Sequence, residues 1–344
     1  MYSNDTKSIQ TVEQLELLLS EPGEAVVAMM RRLKGDIILL GVGGKIGPSL
    51  ARMAKRATDL AGVKRRIIGV SRFSTEGEME NLIRHGIEAI RCDLMDESAL
   101  SKLPPADNVI YLAGLKFGSS KRAAESWAMN TFLPGPVCRK FSSSRIIAYS
   151  TGAVYGLGPI IGSLEADAPE PVGEYAMSCL GRERIFEYFS RTLKIPMALI
   201  RLFYACELRY GVVVDLARKI VTDEPIDLAM GYFNIIWQGD NNAMTLLTLE
   251  HVASPPLVLN ITGSERLSIR EVASEMGRLL GRQPHFRGTE QTTTCLGDAS
   301  KAHQLFGAPQ VSAAQLINWV VDWVRQGNAY LDRPTHFEVR DGRY

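Results

Sequence analysis

Asp36-Ile37-Ile38-Leu39-Leu40 runs straight into Gly41-Val42-Gly43-Gly44-Lys45-Ile46-Gly47, and this join decides how the rest of the chain is read. The first five residues form a short, mostly apolar run. The next seven place glycines at 41, 44 and 47, a GxxGxxG spacing, and residues 46–60 beyond them carry a helical pattern. A chain that turns this sharply, with its backbone held close to a ligand, needs residues without a Cβ. The start of the following helix offers free N–H groups and a partial positive charge, surroundings that suit a pyrophosphate. A glycine triplet alone is a weak signal. Between a strand and a helix, at the head of an alternating series, it is much stronger. The competing reading is a glycine-rich turn with no ligand.

The series does alternate. Residues 66–70, 87–92, 109–113, 146–150 and 197–203 are short apolar runs, separated by helical patterns that include 76–85 and 174–193. Apolar strands alternating with helices predict crossover connections and a parallel sheet covered on both faces. The expected fold class is α/β, a doubly wound Rossmann-type parallel sheet, with a smaller C-terminal substrate lobe. After about residue 204 the rhythm changes. Helices are expected near 213–221, 241–249, 269–280 and 314–325, with short segments at 226–230, 233–238 and 257–261. The expected division is a helical leader over 1–35, a dinucleotide-binding domain over 36–204, and a substrate lobe with tail over 205–344, between which the chain crosses back. Pro22 and Gly23 split the leader into two helices, placed to cover an edge or join a dimer. The aperiodic tail from Asn328 wraps the body or reaches a partner subunit.

The 344 residues suffice for one large or two moderate domains. With 46% hydrophobic and 22% charged residues, the composition is that of a soluble globular chain. A net charge of +1 argues against a nucleic-acid partner. No apolar run is long enough to span a membrane, and the polar start (Ser3, Asn4, Asp5, Lys7) lacks the apolar core of a signal peptide. The five scattered cysteines, with no CxxC pair, are expected to be reduced thiols in a cytoplasmic protein, and no metal site is expected.

The second run ends Gly69-Val70-Ser71-Arg72, without the acidic residue that binds a ribose 2′-hydroxyl in NAD-preferring folds. Ser71 and Arg72 could hold a 2′-phosphate instead, with Lys45 adding charge, so NADP is favoured over NAD as the cofactor.

At this point the chain resembles the extended short-chain dehydrogenases/reductases, in the NAD(P)-dependent epimerase/dehydratase branch, from about Ile37 to Pro309. Cys92-Asp93-Leu94 resembles the family's adenine-contacting aspartate at the end of the third strand. Leu112-Ala113-Gly114-Leu115-Lys116 is similar to the fourth-strand end of UDP-galactose 4-epimerase, and Asn130 fits the family's helix asparagine. Tyr149-Ser150-Thr151-Gly152-Ala153-Val154-Tyr155-Gly156 resembles the active-site segment, with Thr151 at the catalytic Ser/Thr position. The resemblance implies cofactor contacts at Gly41, Gly44, Lys45, Ile46, Gly47, Ser71, Arg72, Asp93, Leu94, Ala113, Gly114, Lys116, Asn130, Ser150, Tyr175 and Tyr204. It also implies catalytic roles for Thr151 and Tyr175. Residues 259–269 and 298–307 resemble the branch's later strand and closing helix.

One departure matters. The family's base is the tyrosine of YxxxK, and the matching stretch here is Tyr175-Ala176-Met177-Ser178-Cys179. No other tyrosine has a lysine four residues later. In the family that lysine lowers the tyrosine pKa and holds the nicotinamide ribose. A free tyrosine has a pKa of about 10, and a neutral thiol supplies no charge. Three readings follow: Tyr175 still exchanges a proton, aided by Lys116 or the cofactor; another group does the chemistry; or the protein is an inactive NADP-binding sensor or structural subunit. A nucleophilic Cys179 is the least favoured idea. The expected function is NAD(P)-dependent hydride transfer at a carbinol carbon of a sugar or sugar-derived hydroxy compound, as oxidoreductase or epimerase. Gly152 and Ala153 stand where the family's dehydratases add an acidic pair, which ranks dehydration last.

On the substrate side, Tyr204 stands where nucleotide-sugar epimerases usually have asparagine, which puts a nucleotide sugar in doubt. Arg209, Tyr210, Arg218 and Lys219 could each bind a carboxylate or phosphate. Trp237 and Gln238 could wall the pocket, or Asp240 could cap the following helix. A homodimer is expected through the 174–193 helix, again by resemblance.

Overall fold

The computed structural model of the protein describes residues 9–116, 118–119, 121–331 and 333–343. The polar residues at 3–7 therefore fall outside the described residues. Thr11 opens the leader. Its hydroxyl accepts from Gln14 N while the Gln14 side chain reaches back, a capping box that starts α1 (Val12–Leu19). After Pro22 and Gly23, α2 (Glu24–Arg32) follows.

Seven strands form one parallel sheet: β1 (Ile37–Leu40), β2 (Ile67–Ser71), β3 (Glu88–Arg91), β4 (Asn108–Tyr111), β5 (Arg145–Thr151), β6 (Met197–Leu202) and β7 (Leu257–Ile261). The spatial order is 3-2-1-4-5-6-7, so the direction of strand progression reverses between β1 and β4. Period-two alternation sorts the side chains. Ile37 and Leu39 face one apolar layer, Ile38 and Leu40 the other. The first layer is built by α2, by α3 (Gly47–Leu60), and by α10 (Gln238–Leu247), through Met29, Met30, Leu50, Met53 and Leu246. The second includes α7 (Pro134–Lys140) and α8 (Gly173–Leu193), through Val137 and Phe186. Two short helices, α4 (Glu78–Arg84) and α5 (Glu97–Ser101), flank β3. The sequence pattern left α5 unmarked.

Between β4 and β5 the helical stretch is not one continuous α-helix. Instead α6 (Ala123–Trp127) passes through a π-turn, Ala128–Phe132, before α7. Pro134 and Pro136 sit in the first turn of α7, where a missing N–H costs nothing. The strand expected over 233–238 is two pieces, Tyr232–Phe233 and Ile236–Trp237, and Gln238 already belongs to α10.

The C-terminal lobe gathers α9 (Val212–Val221), α11 (Ile269–Leu280) and α13 (Ala313–Arg325) around Trp237, Trp319 and Trp323, all buried. The lobe does not take the whole chain after residue 204. β7 returns to pair with β6, and α10 packs under the main sheet. The leader packs on α3 and α10, and Glu16 in it pairs with both Arg52 of α3 and Arg209 of the lobe. A further helix, α12 (Ser300–Phe306), lies against β7. Among the described residues, no helix is long and apolar enough to cross a membrane.

Candidate active site

The strand ends at the reversal point open into a cleft of about 370 Å³. This is where open α/β sheets hold ligands, because the connections diverge on either side. Gly41, Gly44, Lys45, Ile46 and Gly47 form its floor. Two of these glycines are required by space. Gly41 has φ +90°, and a Cβ there would fall 2.7 Å from Ala113 N. A Cβ on Gly47 would fall 2.1 Å from the carbonyl oxygen of Val42. Ala113 acts here through its backbone, as the wall the turn leans on. The N-terminus of α3 has no side-chain cap, so its first N–H groups are left to the cleft. Gln238 donates to Ser49 Oγ (2.9 Å) and to Lys45 O (3.4 Å), which ties the turn to α10. A cradle of this shape fits a dinucleotide's pyrophosphate.

Lys45 and Lys116 both line the cleft. The Lys45 ammonium lies 3.3 Å from the centre of the Tyr210 ring. Burial, with Lys116 and Arg333 close by, pulls its pKa down to about 6. Lys116 donates to the carbonyl of Thr335 (3.2 Å) and sits 5.9 Å from the Tyr175 ring centre. Burial lowers it to about 8, so it remains mostly ammonium at pH 7.

Thr151 lines the cleft at the end of β5, and its hydroxyl accepts from Ala153 N (3.2 Å). Ser150 also lines it, donating to Glu183 (2.5 Å). Tyr175 stands in the first turn of α8. Cys179, one turn on, is fully buried among Val154, Tyr155 and Phe203. Burial pushes the Cys179 thiol up, which keeps it neutral and inert as a nucleophile. Tyr204 lines the cleft at the lobe side.

The residue that the sequence reading missed is Arg182. It lies seven positions after Tyr175, on the face of α8 shared by Tyr175 and Cys179. It is buried and lines the cleft. Its guanidinium donates to Tyr149 O (2.9 Å), to Asn130 O (3.4 Å) and to Asn130 Oδ1. A Cβ on Gly114 would strike it at 2.3 Å. Among the described residues it makes no ion pair. Its neighbour Glu183 is taken by Arg201 and Ser150. Burial opposes its charge, but Cys179, Tyr111, Tyr175 and Glu183 together hold it above the usual guanidinium range. The only sequence signal was its i+7 spacing from Tyr175.

Other predicted residues lie elsewhere. Asn130 sits in the π-turn and is buried. It accepts from Leu115 N and donates to Leu115 O (both 3.0 Å), which shapes the turn before Lys116 rather than reaching the cleft. Ser71 lies against Gly43, and Arg72 is exposed beyond it. Asp93 is exposed and accepts from Met95 N (3.0 Å), while Leu94 is buried in the second layer.

Three substrate-side expectations are corrected. Arg209 does not line the cleft; it is held by Glu207 (3.0 Å) and Glu16 (2.6 Å). Trp237 does not wall the pocket, because its ring packs edge-on against Trp319 at 5.4 Å in the lobe core. Gln238 does line the cleft. Asp240 does not cap its own helix; it accepts from Val311 N (3.0 Å), tying α10 to the segment before α13. Arg218 stacks on Tyr330 and Lys219 pairs with Glu338, so both hold the tail. Among the described residues, no three His, Cys, Asp or Glu side chains are grouped to hold a metal.

Solved structures share this architecture. UDP-glucuronic acid 4-epimerase from Bacillus cereus, solved with UDP-glucuronic acid and NAD, is 19% identical, with a TM-score of 0.69 over 85% of this chain and 99% of that one. UDP-glucose 4-epimerase from Thermotoga maritima gives the same four figures. The dTDP-glucose 4,6-dehydratase from Streptomyces venezuelae, solved with NAD, is 18% identical, with a TM-score of 0.72 over 85% of this chain and 97% of that one. No curated protein sequence matches. The model of the NAD dependent epimerase/dehydratase family matches residues 37–225, from the first strand through the glycine turn, Thr151 and Tyr175 to just past the end of α9. The chain therefore belongs to the NAD-dependent epimerase/dehydratase family of extended short-chain dehydrogenases/reductases, with cysteine in place of the YxxxK lysine.

Proposed function

We propose that the protein is an NAD(P)-dependent oxidoreductase or epimerase acting at a carbinol carbon of a sugar-derived hydroxy compound. The observation that carries this reading is the meeting of Tyr175 with two cations that line the cleft, buried Arg182 and half-buried Lys116, where the family's lysine is missing. The nicotinamide, when bound, supplies the hydride acceptor and donor. The uncapped start of α3 and the glycine turn bind the pyrophosphate. Thr151 orients the substrate oxygen. Tyr175, as phenolate, takes the proton from that oxygen, and as phenol returns it in the reverse direction. A unit positive charge about 6 Å from a forming anion, at an effective dielectric of about 20, is worth roughly 3 kcal/mol. That is the scale of help a cation at the distance of Lys116 from the Tyr175 ring offers as the hydroxyl ionises.

For the cofactor we propose NADP, supported by Ser71 and Arg72 at the end of β2. A second reading, NAD, is favoured by Glu78. Its carboxylate comes within 3.6 Å of where a Gly43 Cβ would lie, beside Ser71, and could accept from a ribose hydroxyl. Fluorescence titration with NADPH and NADH tests both. NADPH is expected to bind more tightly, and Arg72→Ala to weaken NADPH about tenfold or more, the worth of a hydrogen bond to a charged group, with little effect on NADH. Tighter NADH binding that weakens in Glu78→Ala would establish the second reading. Binding of both without turnover of any hydroxy acid or sugar would favour a sensor.

We also propose a homodimer. The outer faces of α6, the π-turn and α8 pack side by side and expose Trp127, Phe132, Met177 and Tyr188. Exposed apolar groups gathered on neighbouring helices mark an association surface. Sedimentation should show a dimer at micromolar concentration, and Phe132→Glu with Tyr188→Glu should give a monomer. A wild-type monomer would refute this. The setting we propose is a reducing compartment, since all five cysteines are free.

A further inference from the structure

The mouth of the cleft is built by the end of the chain. Leu331 N donates to Arg209 O (3.0 Å), and Arg333, Thr335 and His336 then line the cleft. Thr335 is buried. Its N and Oγ1 both donate to Asp215 of α9 (2.8 and 2.6 Å), and its carbonyl receives Lys116. Phe337 is inserted in the lobe core. Arg340 donates to the carbonyls of Ala229 (2.9 Å) and Thr293 (2.8 Å) and to Thr293 Oγ1 (2.7 Å). Finally Gly342 meets Gly173 at the head of α8. A Cβ on Gly173 would fall 2.4 Å from Gly342 O, and one on Gly342 2.2 Å from Val172 O. His336 is held at φ +56°, a left-handed conformation that costs a bulky residue roughly 1–2 kcal/mol. A segment with this many fixed points is part of the site.

Two consequences follow for what the cleft accepts. The first is size. On the far side of Tyr204 and Cys295, which line both, lies a separate space of about 20 Å³ walled by Val339, Arg340 and Gly342, room for about one water. The main cleft, at about 370 Å³, is near the low end of pockets that enclose a drug-sized ligand, and it must take the reacting end of the cofactor as well. The second is charge. Lys45, Lys116, Arg182 and Arg333 line the cleft, with His336 beside them, and no aspartate or glutamate does so among the described residues. Among the described residues, the carboxylates close to these cations are engaged: Asp215 by Thr335, Glu207 by Arg209. Lys45, at the glycine turn with its pKa pulled down to about 6, adds its charge only when an anion such as a pyrophosphate lies beside it. The excess at Lys116 and Arg333 lies on the substrate side.

We propose that the tail is a fixed wall of the substrate pocket, and that the substrate is a small anion: an unlinked polyhydroxy compound bearing a carboxylate or phosphate that Arg333 and Lys116 receive. A sugar carried on a nucleotide would have to hold its nucleotide outside this cleft. This rests on the reading that the cleft binds a nicotinamide dinucleotide. Isothermal titration of the full chain, free and saturated with whichever dinucleotide binds, decides it. The probes are D-gluconate, D-glucose 6-phosphate, D-glucose and UDP-glucose. In the saturated protein, gluconate or glucose 6-phosphate should bind at least tenfold more tightly than glucose, and UDP-glucose should not compete. The tighter of the two anions tells carboxylate from phosphate. Arg333→Ala should weaken that anion at least tenfold, Arg333→Lys less, with the melting temperature unchanged. UDP-glucose binding more tightly than the anions, binding of none of the probes, or an unaltered anion affinity in Arg333→Ala would each overturn the proposal. If no dinucleotide binds, the functional reading fails on that result alone. Anion binding to the free chain, and its loss in Arg333→Ala, then judges the pocket separately.

Discussion

An Arg182→Met enzyme is expected to lose between a hundredfold and a thousandfold in kcat, the usual cost of removing one fixed donor or charge from the place where negative charge develops. Tyr175→Phe is expected to lose at least as much, within the range of about 10²–10⁴ for a general acid or base. The loss in Arg182→Met should fall on kcat more than on KM, since the charge acts on the ionising hydroxyl rather than on the bound ground state. It should also diminish as pH rises, because hydroxide then does what the guanidinium did. Arg182→Lys should recover part of the rate. Steady-state kinetics over a pH series on the accepted substrate would show this. An Arg182→Met protein with native melting behaviour and undiminished kcat would remove Arg182 from the chemistry. The same logic makes Cys179→Lys a poor repair. The thiol is fully buried within a turn of Arg182, with Lys116 close by, so a third cation meets like charge and a dry site. We expect that variant to be less stable and no faster.

The largest expected effect on stability lies directly beneath the cleft. Glu183 of α8 is buried and receives Arg201 of β6 through two nitrogens (3.0 and 2.8 Å), together with Ser150 of β5. Arg201 also donates to Tyr155 Oη (2.7 Å), which donates to Asn260 of β7 (2.8 Å). One network therefore joins three adjacent strands to the helix that carries Tyr175. Glu183→Leu leaves a buried guanidinium without its anion, and such broken pairs cost about 3–5 kcal/mol. Against a total of about 5–15 kcal/mol, that is a large share. The double change Glu183→Leu with Arg201→Met removes both charges and should regain most of the loss. Denaturant melts of the three variants provide the cycle. A single variant within 1 kcal/mol of wild type would mean that the pair is not worth what its burial implies.

Much of the fold could be read from the sequence because its signals are local. The apolar run before Gly41 could only be a buried strand, and α11 begins at Ile269 and ends at Leu280, where its pattern begins and ends. The glycine turn, Thr151 and Tyr175 were marked by their own sequence neighbours, and all three come together on the cleft. What escaped depended on contacts between distant segments. Arg209 has the appearance of a substrate ligand until Glu16, far away in the leader, claims it. Trp237 and Gln238 are adjacent in sequence and part company, one into the lobe core and one onto the cleft, because the strand ends between them. The tail has no periodicity to read, as its order comes from single bonds to Asp215 and Thr293 and close contact with Gly173 rather than from a repeating face.

The return of β7 to the sheet has a consequence for how the protein is made. The ribosome completes residues 1–204 first, and at that stage β6, paired with β5 on one side, is an open edge on the other, its outward backbone groups along Met197–Leu202 unpaired. Its partner, Leu257–Ile261, emerges more than fifty residues later. An unpaired apolar edge is a template for pairing with another chain. A fragment cut after residue 204 should therefore aggregate rather than behave as an independent nucleotide-binding module. The nascent chain has the same exposure to manage until β7 arrives, so the step that closes the edge is where folding and misassembly compete.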